Sequence, residues 1–161
     1  MKIRLTTGSA GFFIRLALLF VIAVPLLASA KKWAVIVHGS SKLQDVSLAD
    51  IAKLCRGEKS SWPDGQTFTV VMLDPEAPEM RGLVRKLFGV PSTEIKQQVA
   101  KLNALRPFIR IVDRDEDVLR AVDATPGAVG IVDVYAINSS VKVLRIDGQL
   151  PFDSGYALKG D

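Results

Sequence analysis

The chain has 161 residues, 21 Lys and Arg against 17 Asp and Glu for a net charge of +4, and a single cysteine, Cys55. Three of the basic residues and none of the acidic ones fall in the first thirty positions, so 18 and 17 remain beyond them. That balance excludes a nucleic-acid partner, because a DNA or RNA binder concentrates Lys and Arg on one element among aromatics, whereas here the signs alternate.

Residues 1–30 divide into a cationic start with Lys2, Arg4 and Arg15, an apolar run from Leu16 to Leu27, and the small-residue site Ala28-Ser29-Ala30. This layout predicts a secretory signal cleaved after Ala30 and a periplasmic or secreted product. The run falls short of the roughly 20 residues that span a bilayer, so no stable membrane anchor is expected after cleavage. Residues 31–161 are then one α/β domain, which buries about two-thirds of its unfolded surface. With one cysteine no intramolecular disulfide can form, and packing must supply the stability.

Trp33 to Val37 is wholly apolar and largely β-branched, the pattern of a strand covered on both faces. Ser47 to Arg56 reads as a helix, with Ser47 and Asp50 at capping-box spacing, an apolar stripe of Leu48, Ile51, Leu54 and Cys55, and Gly57 as the stop. Trp62-Pro63-Asp64-Gly65 is a turn leading into a strand over Thr67 to Met72. Leu73 to Glu79 follows, with Pro75 and Pro78 suited to a helix entrance, and the next helix carries Met80, Leu83, Val84, Leu87 and Phe88 inward. A helix over Ser92 to Asn103 and a strand over Phe108 to Val112 come next. Asp113 and Glu116 repeat the capping-box spacing for a helix burying Val118, Leu119 and Val122. The chain closes with strands over Ala128 to Val134 and Val141 to Ile146, expected to form one antiparallel pair at the end of a mainly parallel sheet flanked by helices.

WAVIVHGSS followed by VSLADIAKLCRGEKSSWPDG, then TFTVVMLDPEAPEMRGLVRKLFG, DEDVLRAVDATPGAVGIVDV and VKVLRIDGQLPFDSGYAL, in this order, resemble one lobe of the periplasmic phosphate-binding proteins. These are the solute receptors of phosphate ABC transporters. The resemblance implies a single lobe of a type II periplasmic-binding-protein-like fold, a solute-binding role in transport, and a small oxyanion or other solute and an envelope transporter or sensor protein as partners. It also implies an arginine and a Ser-Gly-Thr cluster before the ligand-facing helix, where this chain has Leu73-Asp74-Pro75-Glu76-Ala77-Pro78-Glu79.

That replacement bears directly on anion binding. A helix start attracts an anion through free N–H groups and a dipole worth roughly 0.3 to 1 kcal/mol. A carboxylate about 4 to 8 Å away repels a unit anion by roughly 2 to 4 kcal/mol at an effective dielectric near 20. Three acids outweigh one helix start, and two prolines delete donors, so tight phosphate binding at this loop is expected to be lost.

The ligand-facing candidates are Ser40 and Ser41, following the first strand, together with Asp74, Glu76, Ala77 and Glu79. They are expected to line one pocket with Gly127, because ligands in open α/β sheets bind beyond the carboxyl ends of strands. Cys55 lies on an apolar helical stripe and reads as core rather than as the partner of His38 in a nucleophile pair. Asp113, Asp115, Glu116 and Asp117 lack the glycine and the glutamate that a calcium loop needs, and read as a helix start. No nucleophile elbow, metal-ligand cluster or phosphate loop occurs, so neither enzyme, metal nor cofactor is expected. The alternative to a solute receptor is a degenerate lobe acting as a protein-interaction module in the envelope without a small-molecule ligand.

Overall fold

The computed structural model describes residues 31–159; the expected signal segment and its cleavage site lie outside them. The chain folds as β1 (Trp33–His38), β2 (Asp45–Val46), α1 (Leu48–Cys55), β3 (Thr69–Met72), a 3₁₀ turn (Pro78–Met80), α2 (Arg81–Phe88) and α3 (Ile95–Leu105). It continues through β4 (Ile109–Ile111), α4 (Asp115–Ala124), β5 (Ala128–Asp133), a second 3₁₀ turn (Val134–Ala136), β6 (Val141–Val143) and β7 (Arg145–Ile146).

Five strands form the central sheet in the order β4-β3-β5-β1-β6, and β2 and β7 pair separately in parallel. β3 runs parallel to both β4 and β5, whereas β1 runs antiparallel to β5 and to β6. Four of the five strands therefore point one way, and the sheet is mainly parallel.

The expected closing pair of β5 with β6 is not made. β1 lies between them, and the segment Val134–Ser140 carries the chain over it. The composition of β1 explains its place. Trp33, Val35 and Val37 enter the larger core, beside α1, α2 and α3, while Ala34 and Ile36 enter the smaller core under α4. A strand apolar on both sides is stable only inside a sheet with both faces covered. β6 and β7 are likewise two strands rather than one, because the chain leaves β1 at Leu144 to pair with β2.

Ser47 caps α1 as its spacing predicts: its hydroxyl accepts from the Asp50 N–H at 3.0 Å and donates to the Asp50 carboxylate at 2.8 Å. The corresponding motif at Asp113 does not form. Arg114 is the residue that precedes α4, without a side-chain cap, and Asp115 turns instead to accept the Asp133 N–H at 3.3 Å. α4 lies very close to the sheet, since a Cβ on Gly130 of β5 would stand 2.7–2.8 Å from Val118, Ile36 and Val122. The helix expected from Ser92 begins at Ile95, after a turn in which the Ser92 carbonyl accepts the Ile95 N–H.

Candidate functional site

β1 runs against its neighbours, and this decides where the candidate residues fall. Val37 stands opposite Val129 near the start of β5, and Trp33 opposite Asp133 at its end. Ser40 and Ser41, beyond the carboxyl end of β1, therefore lie at the amino ends of β3 and β5. Asp74, Glu76, Ala77 and Glu79 follow β3 at its carboxyl end. The two groups are separated by the length of the sheet, roughly 15–20 Å, and do not line one pocket. In a sheet whose strands all ran parallel these two groups would share one end; the antiparallel β1 puts them at opposite ends.

At the carboxyl end, the loop from Leu73 to Arg81 consumes its own donors. The Glu76 N–H donates to the Asp74 side chain at 3.1 Å and the Ala77 N–H to the Asp74 carbonyl at 3.1 Å. The Met80 N–H donates to the Ala77 carbonyl at 2.9 Å and the Arg81 N–H to the Pro78 carbonyl. Pro75 and Pro78 have no N–H. The helix entrance is thus closed by its own turns, and its carboxylates are met by lysines. Lys96 contacts Glu76 at 2.6 Å, and Lys31 contacts Glu79 at 3.7 Å. The Lys96 ammonium is held above its ordinary pKa by the hydrogen bond to Glu76 and by the charge of Asp74.

The carboxylates continue along this end of the sheet. Burial raises the pKa of Asp115, helped by the nearby charge of Asp133, against the opposing hydrogen bond from the Asp133 N–H and the charge of Lys31. An anion brought here would meet Asp74, Glu76, Glu79, Asp115 and Asp133 with most of the loop's amides already spent. Among the described residues, no group of three or more His, Cys, Asp or Glu side chains is placed to hold a metal ion.

Ser40 and Ser41 share a cavity of about 410 Å³ with His38, Asp123, Trp62 and Gly127. Its polar groups are mostly bound within their own loops. His38 Nδ1 accepts the Ser40 N–H at 3.1 Å and lies 2.8 Å from the Ser40 hydroxyl. An N–H can only donate, so Nδ1 carries no proton and that of the neutral ring sits on Nε2, which is 3.8 Å from Asp123. Ser41 accepts the Leu43 N–H at 3.3 Å, and Trp62 donates to the Gly127 carbonyl at 2.9 Å. Asp123 was not expected here; no sequence signal joins the end of α4 to the loop after β1. Cys55 is fully buried in the larger core, where burial pushes its thiol up to about 12, far from any nucleophilic role.

No protein-family model and no curated protein matches the chain. Solved structures do match, with an ABC-type phosphate transport receptor from Vibrio cholerae superposing at a TM-score of 0.64 and 15% identity. The match covers 82% of this chain and 55% of that one. The fold is that of the phosphate-transport receptors. PstS from Borrelia burgdorferi superposes at 0.59 with 15% identity, over 83% of this chain and 56% of its own. A putative phosphate ABC transporter substrate-binding protein from Clostridium perfringens, with bound phosphate, matches at 0.59 and 18% identity, over 74% and 46%. The chain thus spans about half the length of the receptors whose fold it has, and among the described residues no helix is long and apolar enough to cross a membrane.

Proposed function

We propose that this protein is an exported, single-lobe module of the solute-receptor fold that works in the cell envelope through contact with another protein, and does not sequester phosphate. The observation that carries this reading is the closed loop after β3, with its amides donated to Asp74, Ala77 and Pro78 and its carboxylates at the strand ends. Export is supported by the layout of residues 1–30. The half-length match to phosphate-transport receptors supports a role near a transporter, and their standing as binding proteins supports the absence of catalysis.

Titration calorimetry with inorganic phosphate tests the reading. No heat of binding is expected, and micromolar affinity overturns it. A second reading, a reduced receptor for a different small solute, is favoured by the cavity of about 410 Å³ at Ser40 and Ser41. A thermal-shift screen of oxyanions and small metabolites separates the two. A ligand at 100 times its Kd stabilises the fold by about 2.7 kcal/mol, a shift of several degrees; the contact module shows no shift.

A further inference from the structure

His38 is the only histidine of the chain, and its two ring nitrogens are held by different parts of the fold. Nδ1 accepts the Ser40 N–H at 3.1 Å and lies 2.8 Å from the Ser40 hydroxyl, while Nε2 faces Asp123 at the end of α4 at 3.8 Å. The contact at Nδ1 tightens the turn that leaves β1, in which the Ser41 N–H also donates to the His38 carbonyl at 2.9 Å. Beyond Ser40 the loop is pinned again: Lys142 of β6 donates to the Ser41 carbonyl, and the Leu43 N–H donates to the Ser41 hydroxyl. This loop carries Ser40, Ser41 and Lys42 along one wall of the cavity of about 410 Å³.

The turn fits only the neutral ring. Nδ1 accepts an N–H, so a proton taken up by the ring goes there and sets two donors against each other. The Ser40 hydroxyl can rotate to accept from the new N–H, but the Ser40 amide cannot, and it has to swing toward water. On the other side the imidazolium Nε2–H is drawn to the Asp123 carboxylate. Protonation therefore exchanges a hydrogen bond inside the loop for a charge contact with α4. The charged groups around the ring come from every neighbouring element: Asp123 on α4, Asp64 in the turn before β3, Lys42 on the loop itself and Lys142 on β6. Among these side-chain types and histidine, histidine is the one whose charge ordinarily changes between about pH 5 and 8.

We propose that His38 is a pH-sensitive latch on the loop over residues 39–42. The neutral ring closes the loop by accepting the Ser40 N–H, and the protonated ring releases it and leans on Asp123, loosening the Ser40 and Ser41 wall of the cavity. The latch belongs to the loop, so it and the contact-module reading fail separately: phosphate calorimetry decides that reading, and the behaviour of the Ser40 amide decides this one.

Nuclear magnetic resonance on the protein, purified as the cell processes it, gives the test, since a single histidine yields one set of ring signals. At about pH 8 the ring is expected to carry its proton on Nε2. As the pH falls to about 5, the Ser40 amide proton should move upfield with the same midpoint as the ring signals. His38→Asn supplies the reference, because a carboxamide oxygen accepts the N–H two residues on and takes up no proton. Amide exchange at Ser40 in the wild type, divided by that in His38→Asn at the same pH, is expected to rise roughly fivefold on acidification, what the loss of one net hydrogen bond supplies. Asp123→Asn should move the midpoint to lower pH, since the protonated ring then lacks the carboxylate that faces it. A neutral ring protonated on Nδ1 overturns the proposal, and so does a Ser40 amide that ignores the titration of the ring or a midpoint unmoved by Asp123→Asn. The ring and amide signals of the wild type decide the matter even where His38→Asn does not fold.

Discussion

Replacing Gly130 by alanine tests how the smaller core is built. The added methyl would stand 2.7 Å from Val118 Cγ1 and 2.8 Å from both Ile36 Cγ1 and Val122 Cγ2, where carbon atoms prefer about 3.5–4.0 Å. Two of these neighbours belong to α4 and one to β1, so the clash is met from helix and sheet together. All three are β-branched and stiff at χ1, so they cannot swing aside cheaply. α4 must lift by most of an ångström, opening its contacts with Ala34, Val71, Ala128 and Val132. Overpacking of a well-filled core costs about 1–3 kcal/mol, and three simultaneous overlaps put Gly130→Ala near the top of that range. For a domain of this size the melting temperature should fall by about 10 °C. Urea denaturation followed by circular dichroism measures the loss, with Gly155→Ala as the control, because its Cβ would meet only ordinary contacts beyond 3.5 Å. A Gly130→Ala variant destabilised by less than about 1 kcal/mol would refute the close seating of α4 on β5.

Asn103 closes the free edge of β4: its side chain donates to the Ile109 carbonyl and accepts from the N–H groups of Phe108 and Ile109. Asn103→Ala should cost about 2 kcal/mol and hasten aggregation on shaking, since an unplugged edge recruits other strands; a soluble variant of unchanged stability would count against this. Cys55, buried and with its thiol raised to about 12, should resist iodoacetamide in the native protein and react once guanidinium unfolds it; rapid native labelling would contradict the burial. Trp62→Phe keeps most of the ring but leaves the Gly127 carbonyl without its donor, with an expected loss of about 1–2 kcal/mol by thermal denaturation. Asp115 has a folded pKa raised above 3.8, so its contribution to stability is greatest below that value and is lost as pH rises through the raised one. Asp115→Asn removes the ionisation and still accepts the Asp133 N–H. Its melting temperature relative to wild type should therefore rise from pH 3 to pH 7, and a constant or falling difference would count against the assignment.

Local chemistry was legible where it depends on neighbours in sequence. The Ser47 cap, the stripe of α1 and the two-faced burial of β1 are all read from spacing and apolar content, and all form. Strand direction was not, because an apolar run states only that both its faces are covered. From that one missing fact followed the wrong partner for β6 and the merging of Ser40 and Ser41 with the loop after β3 into one site. The Asp113 spacing misled for a related reason: Asp115 is drawn to the end of β5, eighteen positions away, and no local pattern records that competition. The acids at Asp74, Glu76 and Glu79 could be weighed from the sequence. The turns that use up the amides beside them could not, since they depend on how Asp74 folds back over the two prolines.

Lys32 and Lys159, near the two ends of the described chain, are joined by an antiparallel bridge. A segment whose two ends meet in this way has the geometry of a cassette. It can be set into a surface loop of an unrelated host without stretching either sheet, or reopened at a different turn with its old ends sewn together by a few residues. The same closeness lets a fluorophore pair at residues 32 and 159 act as a built-in strain gauge. Its transfer efficiency would drop on unfolding and would stay high through any event that left the lobe whole.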